Sequence, residues 1–418
     1  MERRRVVITG LGCISPVGNS VEEAWKNICN GVSGISAITA FDPKNIDCKI
    51  AGQVKNFDAT TFGIEKKSLR KMARFTQFLL AASIQAVNDS GFTRENISNE
   101  KIAVISGNCL GGLDALDDGY KKFLDPEFGV QRIPTFTTPL MISNEAAANV
   151  SIYFGIKNKC WTINTACASG TDAIGIATDM IRSGRIDMCI SGGTESTITE
   201  FAIGSYGQLQ ALSTKFNDSP EKASRPFDRD RCGFVASEGA CVLVLEELDH
   251  ALKRGARIYA EISGYGSSSD ANHITTPLAD GSGAGLALRE AIDDAGISPD
   301  KLEYYNAHGT STSINDLSET RMLKSVLGDH SARINISSTK SMTGHLIGAA
   351  GAFEAMFCAL ALRDGFIPPT INLDNPDIEG GCDLNYTPNT GIKKEIKYAA
   401  SASLGFGGHN SCIILSKI

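Results

Sequence analysis

The stretch Trp161-Thr-Ile-Asn-Thr-Ala-Cys-Ala-Ser-Gly-Thr-Asp-Ala-Ile-Gly-Ile-Ala177 decides how this chain reads. Thr162 to Thr165 has the character of a buried strand end. The five residues Ala166 to Gly170 are too small to fill a core and suit a sharp turn. From Thr171 onward, Ile174, Ile176, Ala177, Met180 and Ile181 recur at helical spacing. Cys167 is therefore predicted where a strand turns into a helix, beside backbone N–H groups with no partner inside that helix. Such a place favours a thiolate and predicts a lowered thiol pKa. The position suits a nucleophile that accepts an acyl group. The blander reading is a small buried cysteine, which most free cysteines are.

Working outward, strands alternate with helices along the whole chain. Strands are predicted at Arg4–Gly12, Lys101–Gly107, Asp187–Gly193, Ala240–Glu246 and Leu302–Tyr305, and helices at Ser20–Cys29, Glu65–Asn88, Asn144–Phe154 and Leu346–Leu362. This alternation predicts an α/β fold with mostly parallel, covered sheets. The first strand closes on Gly10-Leu11-Gly12, but Ser15 stands where a third glycine would complete a dinucleotide fingerprint, and Pro16-Val17-Gly18 follows where a helix should open. A nucleotide site is rejected there.

The chain also repeats itself. Ala260-Glu-Ile-Ser-Gly-Tyr-Gly resembles Arg5-Val-Val-Ile-Thr-Gly-Leu-Gly, each a strand ending in Gly-x-Gly. The run Asn335-Ile-Ser-Ser-Thr-Lys-Ser-Met-Thr-Gly-His, with a Gly/Ala-rich helix after it, parallels the strand, turn and helix around Cys167. Two similar halves meeting near residue 250 would set the two turns face to face.

Composition narrows the class. Hydrophobic residues make up 42% and charged residues 21% of the 418, as in ordinary globular proteins. The net charge of −7 argues against non-specific nucleic-acid binding. No segment approaches a membrane span, and Val6-Val7-Ile8 is too short for a signal-peptide core. Twelve cysteines form no C-x-x-C pair and lie among apolar neighbours, so a reducing cytoplasm is expected.

Three of the six histidines have unusual settings. His308 sits in Asn306-Ala-His-Gly-Thr-Ser-Thr after a strand, His345 ends Ser337-Ser-Thr-Lys-Ser-Met-Thr-Gly-His before a helix, and His409 closes Gly405-Phe-Gly-Gly-His. Strand ends are where α/β sheets place their sites. Lys66, Lys67, Arg70, Lys71 and Arg74 form a basic cluster whose plain reading is a solvated helix face.

Taken together, Thr-Ala-Cys-Ala-Ser-Gly at Cys167, Asn-Ala-His-Gly-Thr-Ser-Thr at His308, Lys-Ser-Met-Thr-Gly-His at His345 and Gly-Phe-Gly-Gly-His-Asn at His409 resemble the β-ketoacyl-acyl-carrier-protein synthases, and among them the elongating type II members. Arg225-Pro-Phe-Asp and Pro368-Pro-Thr-Ile-Asn-Leu-Asp-Asn-Pro-Asp belong to the same pattern, which runs from Val6 to Leu415. The resemblance implies a thiolase-like fold, a duplicated αβαβα five-layer architecture, usually dimeric. Residues 1–250 would form the half with the nucleophile and residues 251–418 the half with the two histidines.

The implied reaction is a decarboxylative Claisen condensation. Cys167 would hold an acyl chain, with the backbone N–H groups of Cys167 and Leu404 as oxyanion hole. His308 and His345 would stabilise charge on the malonyl thioester. Lys340 and Glu354 would order the histidine region. Thr310 and Thr312 would bond the phosphopantetheine arm, which arrives on the acyl carrier protein, so no cofactor of the enzyme's own and no metal is implied. Leu110 and Tyr206, otherwise plain core residues, would line the acyl pocket, and Lys66, Lys67, Arg70 and Lys71 would dock the acidic carrier protein.

Some positions depart from the usual pattern. Leu404 replaces a common phenylalanine gate and Ala402 a common asparagine. Cys232 stands for Asp in Arg-Asp-Gly, Ser237 and Cys241 for glycines of Gly-Glu-Gly-Ala-Gly, and Gln210 for a basic residue. These departures suit a rival within the class: the catalytic ketosynthase of a type II polyketide system, paired with a chain-length-factor subunit rather than with itself. A non-catalytic chain-length factor would not need Cys167. A thiolase acting on coenzyme A would carry a second cysteine near the C-terminus, and a chain-initiating synthase would carry Asn in place of His345.

Overall fold

The computed structural model describes residues 3–418. Ten strands form its main sheet: β1 (Val6–Ile14), β2 (Ile102–Gly107), β3 (Cys160–Ile163), β4 (Met188–Glu195), β5 (Gly239–Glu247), β6 (Ala260–Ser269), β7 (Tyr304–Asn306), β8 (Asn335–Ser337), β9 (Tyr398–Gly405) and β10 (His409–Ser416). Six helices matter for the site: α1 (Arg74–Asp89), α2 (Glu145–Phe154), α3 (Ser169–Arg182), α4 (Ser282–Asp294), α5 (Ser313–Leu327) and α6 (Ala350–Asp364). The order β1-α1-β2-α2-β3-α3-β4-β5 recurs as β6-α4-β7-α5-β8-α6-β9-β10.

The sheet order is β8-β7-β9-β10-β6-β1-β5-β4-β2-β3, a palindrome under the exchange of strand n with n + 5. Each half is one five-stranded sheet, and the two join only where Val7 faces Glu261 and Ile8 faces Ala260. Helices α3 and α6 lie between the two sheets and touch both, while α1 and α4 cover the outer faces, which makes five layers. The inner helix α6 is buried all round from Ala350 to Leu362, as expected of a helix with no polar face.

The Gly-x-Gly motifs lie inside β1 and β6 rather than ending them, since the strands run on to Ile14 and Ser269, and they have the same packing function in each half. A Cβ at Gly10 or Gly12 would stand 2.1 or 2.0 Å from the carbonyl oxygens of Ala86 and Ala82 on α1. At Gly264 and Gly266 it would stand 2.1 and 2.2 Å from those of Ala291 and Ala287 on α4. Only glycine lets these outer helices cross so closely.

Three expectations need correction. The sheet is mixed rather than mostly parallel: β2 runs parallel to β3 and β4, and β7 to β8 and β9, but β5 and β10 run antiparallel to both their neighbours. For β10 the cause is local. Only Phe406, Gly407 and Gly408 separate it from β9, too few for the crossover that parallel strands require. The strand before Cys167 is an edge strand, and Thr162 to Thr165 is half-buried, with Asn164 exposed, rather than buried. The helix predicted over Glu65–Asn88 is two: a turn at Lys66–Leu69, then α1 from Arg74, whose guanidinium turns inward to pair with buried Glu238 at 2.7 Å. All twelve cysteines are free thiols.

Candidate active site

Both halves build the same elbow. Ala166 (φ 52°) follows β3 and opens a 3-10 turn at Ala166–Ala168 that runs into α3. Ile347 (φ 49°) opens Ile347–Ala349, which runs into α6. Cys167 and Gly348 are therefore counterparts. The two elbows press together because the second residue of each helix is glycine: a Cβ on Gly170 would lie 2.9 Å from the Gly348 carbonyl oxygen, and one on Gly351 would overlap the Thr171 hydroxyl. This contact brings the C-terminal histidines to the N-terminal cysteine.

His345 Nε2 lies 3.1 Å from Cys167 Sγ, and the His308 and His345 rings meet edge to face with centroids 5.2 Å apart. The ligating atoms of all three residues lie within 4.8 Å of one another. These are donor types that a soft metal takes, but the ammonium of nearby Lys340 opposes a cation here. The backbone N–H of Ile347 donates to His345 Nδ1 at 3.3 Å. In the neutral ring the proton is then on Nε2, directed at the sulfur. The His345 backbone is itself held in a bridge to Ala236, with its N–H on the Val235 carbonyl at 2.7 Å. Ser237, one of the departures noted above, donates to the Thr343 carbonyl at 2.6 Å and ties down the same turn.

His308 follows β7. Its backbone N–H and that of Gly309 donate to Glu319 on α5 at 2.7 and 2.8 Å. His308 Nδ1 is buried with no hydrogen-bond partner. Lys340, 1% exposed, is ion-paired with Glu354 on α6. Burial, and secondly the Lys340 charge, holds both imidazoles well below the usual histidine range. At neutral pH both rings are neutral N–H donors.

The expected low pKa at Cys167 is overturned. Burial pushes the thiol up to about 12, and Lys340 and the backbone N–H groups of Phe406 and Cys167 only partly counter it. Desolvation of a thiolate in a closed site outweighs one helix terminus. The Phe406 amide is a group the sequence reading missed. It reaches the sulfur because the β9–β10 turn folds onto the elbow, where a Cβ on Gly405 would sit 3.2 Å from the Cys167 nitrogen. Leu404, 8% exposed, lies in β9 just before that turn.

A cavity of about 650 Å³ opens onto the three residues. Thr310 and Thr312 line it, their hydroxyls 3.0 Å apart, as do Leu110, Tyr206 and Leu404. Leu110 is no core residue: it is 41% exposed, at the cavity wall. Tyr206 meets Phe234 edge to face at 5.6 Å, and Phe234 meets His345 likewise at 5.4 Å. Phe234, Glu195 and Glu319 also belong to the site and carried no signal in sequence, since a single Phe or Glu in an ordinary strand or helix has no motif. Lys66, Lys67, Arg70 and Lys71 are exposed, and the first three line a shallow surface depression outside this cavity. His409 starts β10 and does not line the cavity.

Comparison with known proteins agrees with this geometry. Residues 3–251 match the beta-ketoacyl synthase N-terminal domain and residues 259–374 the beta-ketoacyl synthase C-terminal domain. The chain is 45% identical to the 3-oxoacyl-[acyl-carrier-protein] synthase 2 of Synechocystis sp. (strain ATCC 27184 / PCC 6803 / Kazusa), over 100% of this chain and 99% of that protein. Among solved structures it is similar to the ishigamide ketosynthase/chain length factor (TM-score 0.93, 34% identity, 100% of both chains). It also resembles a type II PKS ketosynthase solved with its acyl-carrier protein and bound to the hexaketide (TM-score 0.91, 35% identity, 100% of both chains). A doubled elbow fold that sets one cysteine against two neutral histidines, matched along its length, belongs to the β-ketoacyl synthase family.

Proposed function

We propose that the protein is an acyltransferase of the elongating type, a 3-oxoacyl-[acyl-carrier-protein] synthase. It condenses a cysteine-bound acyl chain with malonyl-acyl carrier protein to give 3-oxoacyl-acyl carrier protein and CO₂. The observation that carries this reading is the 3.1 Å approach of His345 Nε2 to the Cys167 sulfur, with His308 beside both. Residues 1–250 bring the nucleophile and residues 251–418 the histidines.

The Cys167 thiol, protonated when free, loses its proton as it attacks the incoming thioester. With the Nε2 of His345 already protonated, the neutral ring of His308 is the acceptor in reach; as the adduct collapses the carrier's thiol leaves and takes this proton, so His308 is neutral again when malonyl-acyl carrier protein enters. The backbone N–H groups of Cys167 and Leu404 receive the oxyanion. In the second half-reaction, His308 and His345 donate N–H groups to the malonyl thioester oxygen as CO₂ leaves, and the carbanion attacks the acyl-cysteine. Neutral imidazoles suit this task, because a buried donor without charge avoids the desolvation cost of an imidazolium. Lys340 and Glu354 keep them neutral and in place. Thr310 and Thr312 hold the phosphopantetheine arm, and Leu110 and Tyr206 bound the acyl chain. The phosphopantetheine comes with the carrier, and the site is assigned no resident cofactor or metal. The protein works in the cytoplasm.

The test is product analysis. Incubated with acyl- and malonyl-acyl carrier protein, the enzyme should release CO₂ and form the 3-oxoacyl product two carbons longer. Absence of both would remove the assignment. A second reading, the catalytic subunit of a type II polyketide system, is favoured by the likeness to a ketosynthase/chain length factor structure. A stable homodimer that elongates alone decides for the first reading. Dependence on a homologous partner without the cysteine decides for the second.

Lys66, Lys67, Arg70 and Lys71 form the docking face for the acidic carrier. Charge reversal at Lys67 and Arg70 should raise KM for the carrier-bound substrate about tenfold with little change in kcat, and added salt should do the same to the native enzyme. Steady-state kinetics in low and high salt checks this, and an unchanged KM would move the docking face elsewhere.

A further inference from the structure

Glu195 ends β4 and is completely buried, yet its carboxylate has no cationic partner among the described residues. Its four hydrogen bonds all come from groups that shape the site. Oε2 accepts from the backbone N–H of Cys109 at 3.0 Å and of Gly348 at 3.1 Å. Oε1 accepts from the backbone N–H of Leu110 and from Asn108 Nδ2, each at 3.3 Å. Four donors and no acceptor are what an ionised carboxylate requires. Burial opposes that ionisation and pushes its pKa up to about 7 against all four donors.

The donors come from two segments that do different work. Cys109 and Leu110 line the cavity wall. Gly348 is the counterpart of Cys167 in the second elbow, and Ile347 before it makes the bond to His345 Nδ1. At the first elbow the backbone N–H groups face the reacting sulfur. At the second, the carboxylate of Glu195 fills the equivalent place. The fit is close, since a Cβ on Gly348 would sit 2.7 Å from the Cys109 nitrogen and 2.8 Å from Glu195 Oε2. The turn it holds is strained, because Ile347 is a β-branched residue at positive φ.

We infer that Glu195 is a positioning residue: by clamping the Cys109–Leu110 wall to the Ile347–Gly348 turn, it keeps the Ile347 amide on His345 Nδ1 and so keeps the His345 proton on Nε2, facing Cys167. The inference rests on the condensing role assigned to His345, and acts on the malonyl half-reaction. Cys167 acylation uses His308 and the first elbow, neither of which hydrogen-bonds Glu195; its effect there is limited to its charge, which raises the Cys167 thiol, and to the Leu110 wall.

The decisive variant is Glu195→Gln, which keeps the side-chain shape but sets an NH₂ against N–H donors. In enzyme labelled with ¹⁵N-histidine, the His345 ring, assigned by its loss in His345→Ala, should show protonation at Nε2 in the native enzyme and a mixture of tautomers in Glu195→Gln. Malonyl decarboxylation should fall on the order of tenfold in kcat, as when an outer partner of a working histidine is lost, a larger loss than any in the rate of Cys167 acylation. An unchanged His345 spectrum, or equal losses in both half-reactions, would overturn the inference. Should Glu195→Gln fail to fold, Glu195→Asp is the second variant: it keeps the charge but draws the carboxylate back from its four donors, and a native tautomer in it would also overturn the inference. The spectrum is read without turnover. A native enzyme that shows the expected tautomer but forms no 3-oxoacyl product therefore fails the function and not the clamp.

Discussion

Cys167→Ala will lose condensation by at least about 10⁴-fold, or roughly 5 kcal/mol of barrier, the scale on which enzymes lose a covalent nucleophile. The cause is specific. No other thiol stands against both histidines: the cluster of donor atoms within 4.8 Å contains Cys167, His308 and His345 and nothing else. Mass spectrometry after incubation with acyl-acyl carrier protein should find the acyl group on Cys167 in the native enzyme and on no residue of the variant. Cys167→Gln separates the two half-reactions further. Its side-chain carbonyl occupies the place of the acyl-thioester carbonyl against the elbow N–H groups, so malonyl decarboxylation should persist while condensation does not. Condensation by Cys167→Ala at near-native rate would end the covalent step.

His345→Ala should show the complementary loss. Acylation of Cys167 continues, because the proton acceptor assigned to that step is His308, while malonyl decarboxylation falls about 10²- to 10³-fold, the usual effect of removing one donor from a developing oxyanion. The variant also deletes the N–H that faces the sulfur at 3.1 Å. A thiol whose pKa burial has already pushed up to about 12 then loses a stabilising donor for its thiolate. The sign of the pH effect follows. Thiolate is favoured above the pKa and lost as pH falls through it, so alkylation of the free enzyme by a neutral reagent should rise with pH throughout the range around neutrality, and more slowly in the variant. A plateau at neutral pH in native enzyme would mean an ionised resting thiol. Malonyl turnover by His345→Ala at the native rate would remove His345 from the mechanism.

The parts of the site legible in sequence were those with a local cause. A nucleophile at a strand-to-helix turn needs small residues around it, and Ala166-Cys167-Ala168-Ser169-Gly170 shows them in order. The two histidines stand out for the same reason, each beside glycine, His308 just after a strand and His345 just before a helix. The doubled Gly-x-Gly announced the repeat, although its purpose, close passage of α1 and α4 over β1 and β6, appeared only with the helices in place. Lys340 and Glu354 were assigned by resemblance, and the fold places them in one buried ion pair.

The thiol pKa was misread because its two causes have different ranges. A helix N-terminus is a local feature, visible in a run of ten residues. Desolvation comes from everything packed around the sulfur, including the turn Gly405–Gly408 more than two hundred residues away. Glu195 and Phe406 were missed for a related reason: what makes them part of the site is the partner each meets, not the residues beside them in the chain.

By itself the sequence determined the α/β alternation, the duplication, the elbow and the placing of Cys167 in it, since each depends on the spacing of residue types within one segment. Tertiary structure alone decided the antiparallel setting of β5, the exposure of Leu110, the burial that pushes the Cys167 thiol up and the partners of Glu195. These depend on contacts between segments far apart in sequence, where burial and geometry rather than local pattern set the energy.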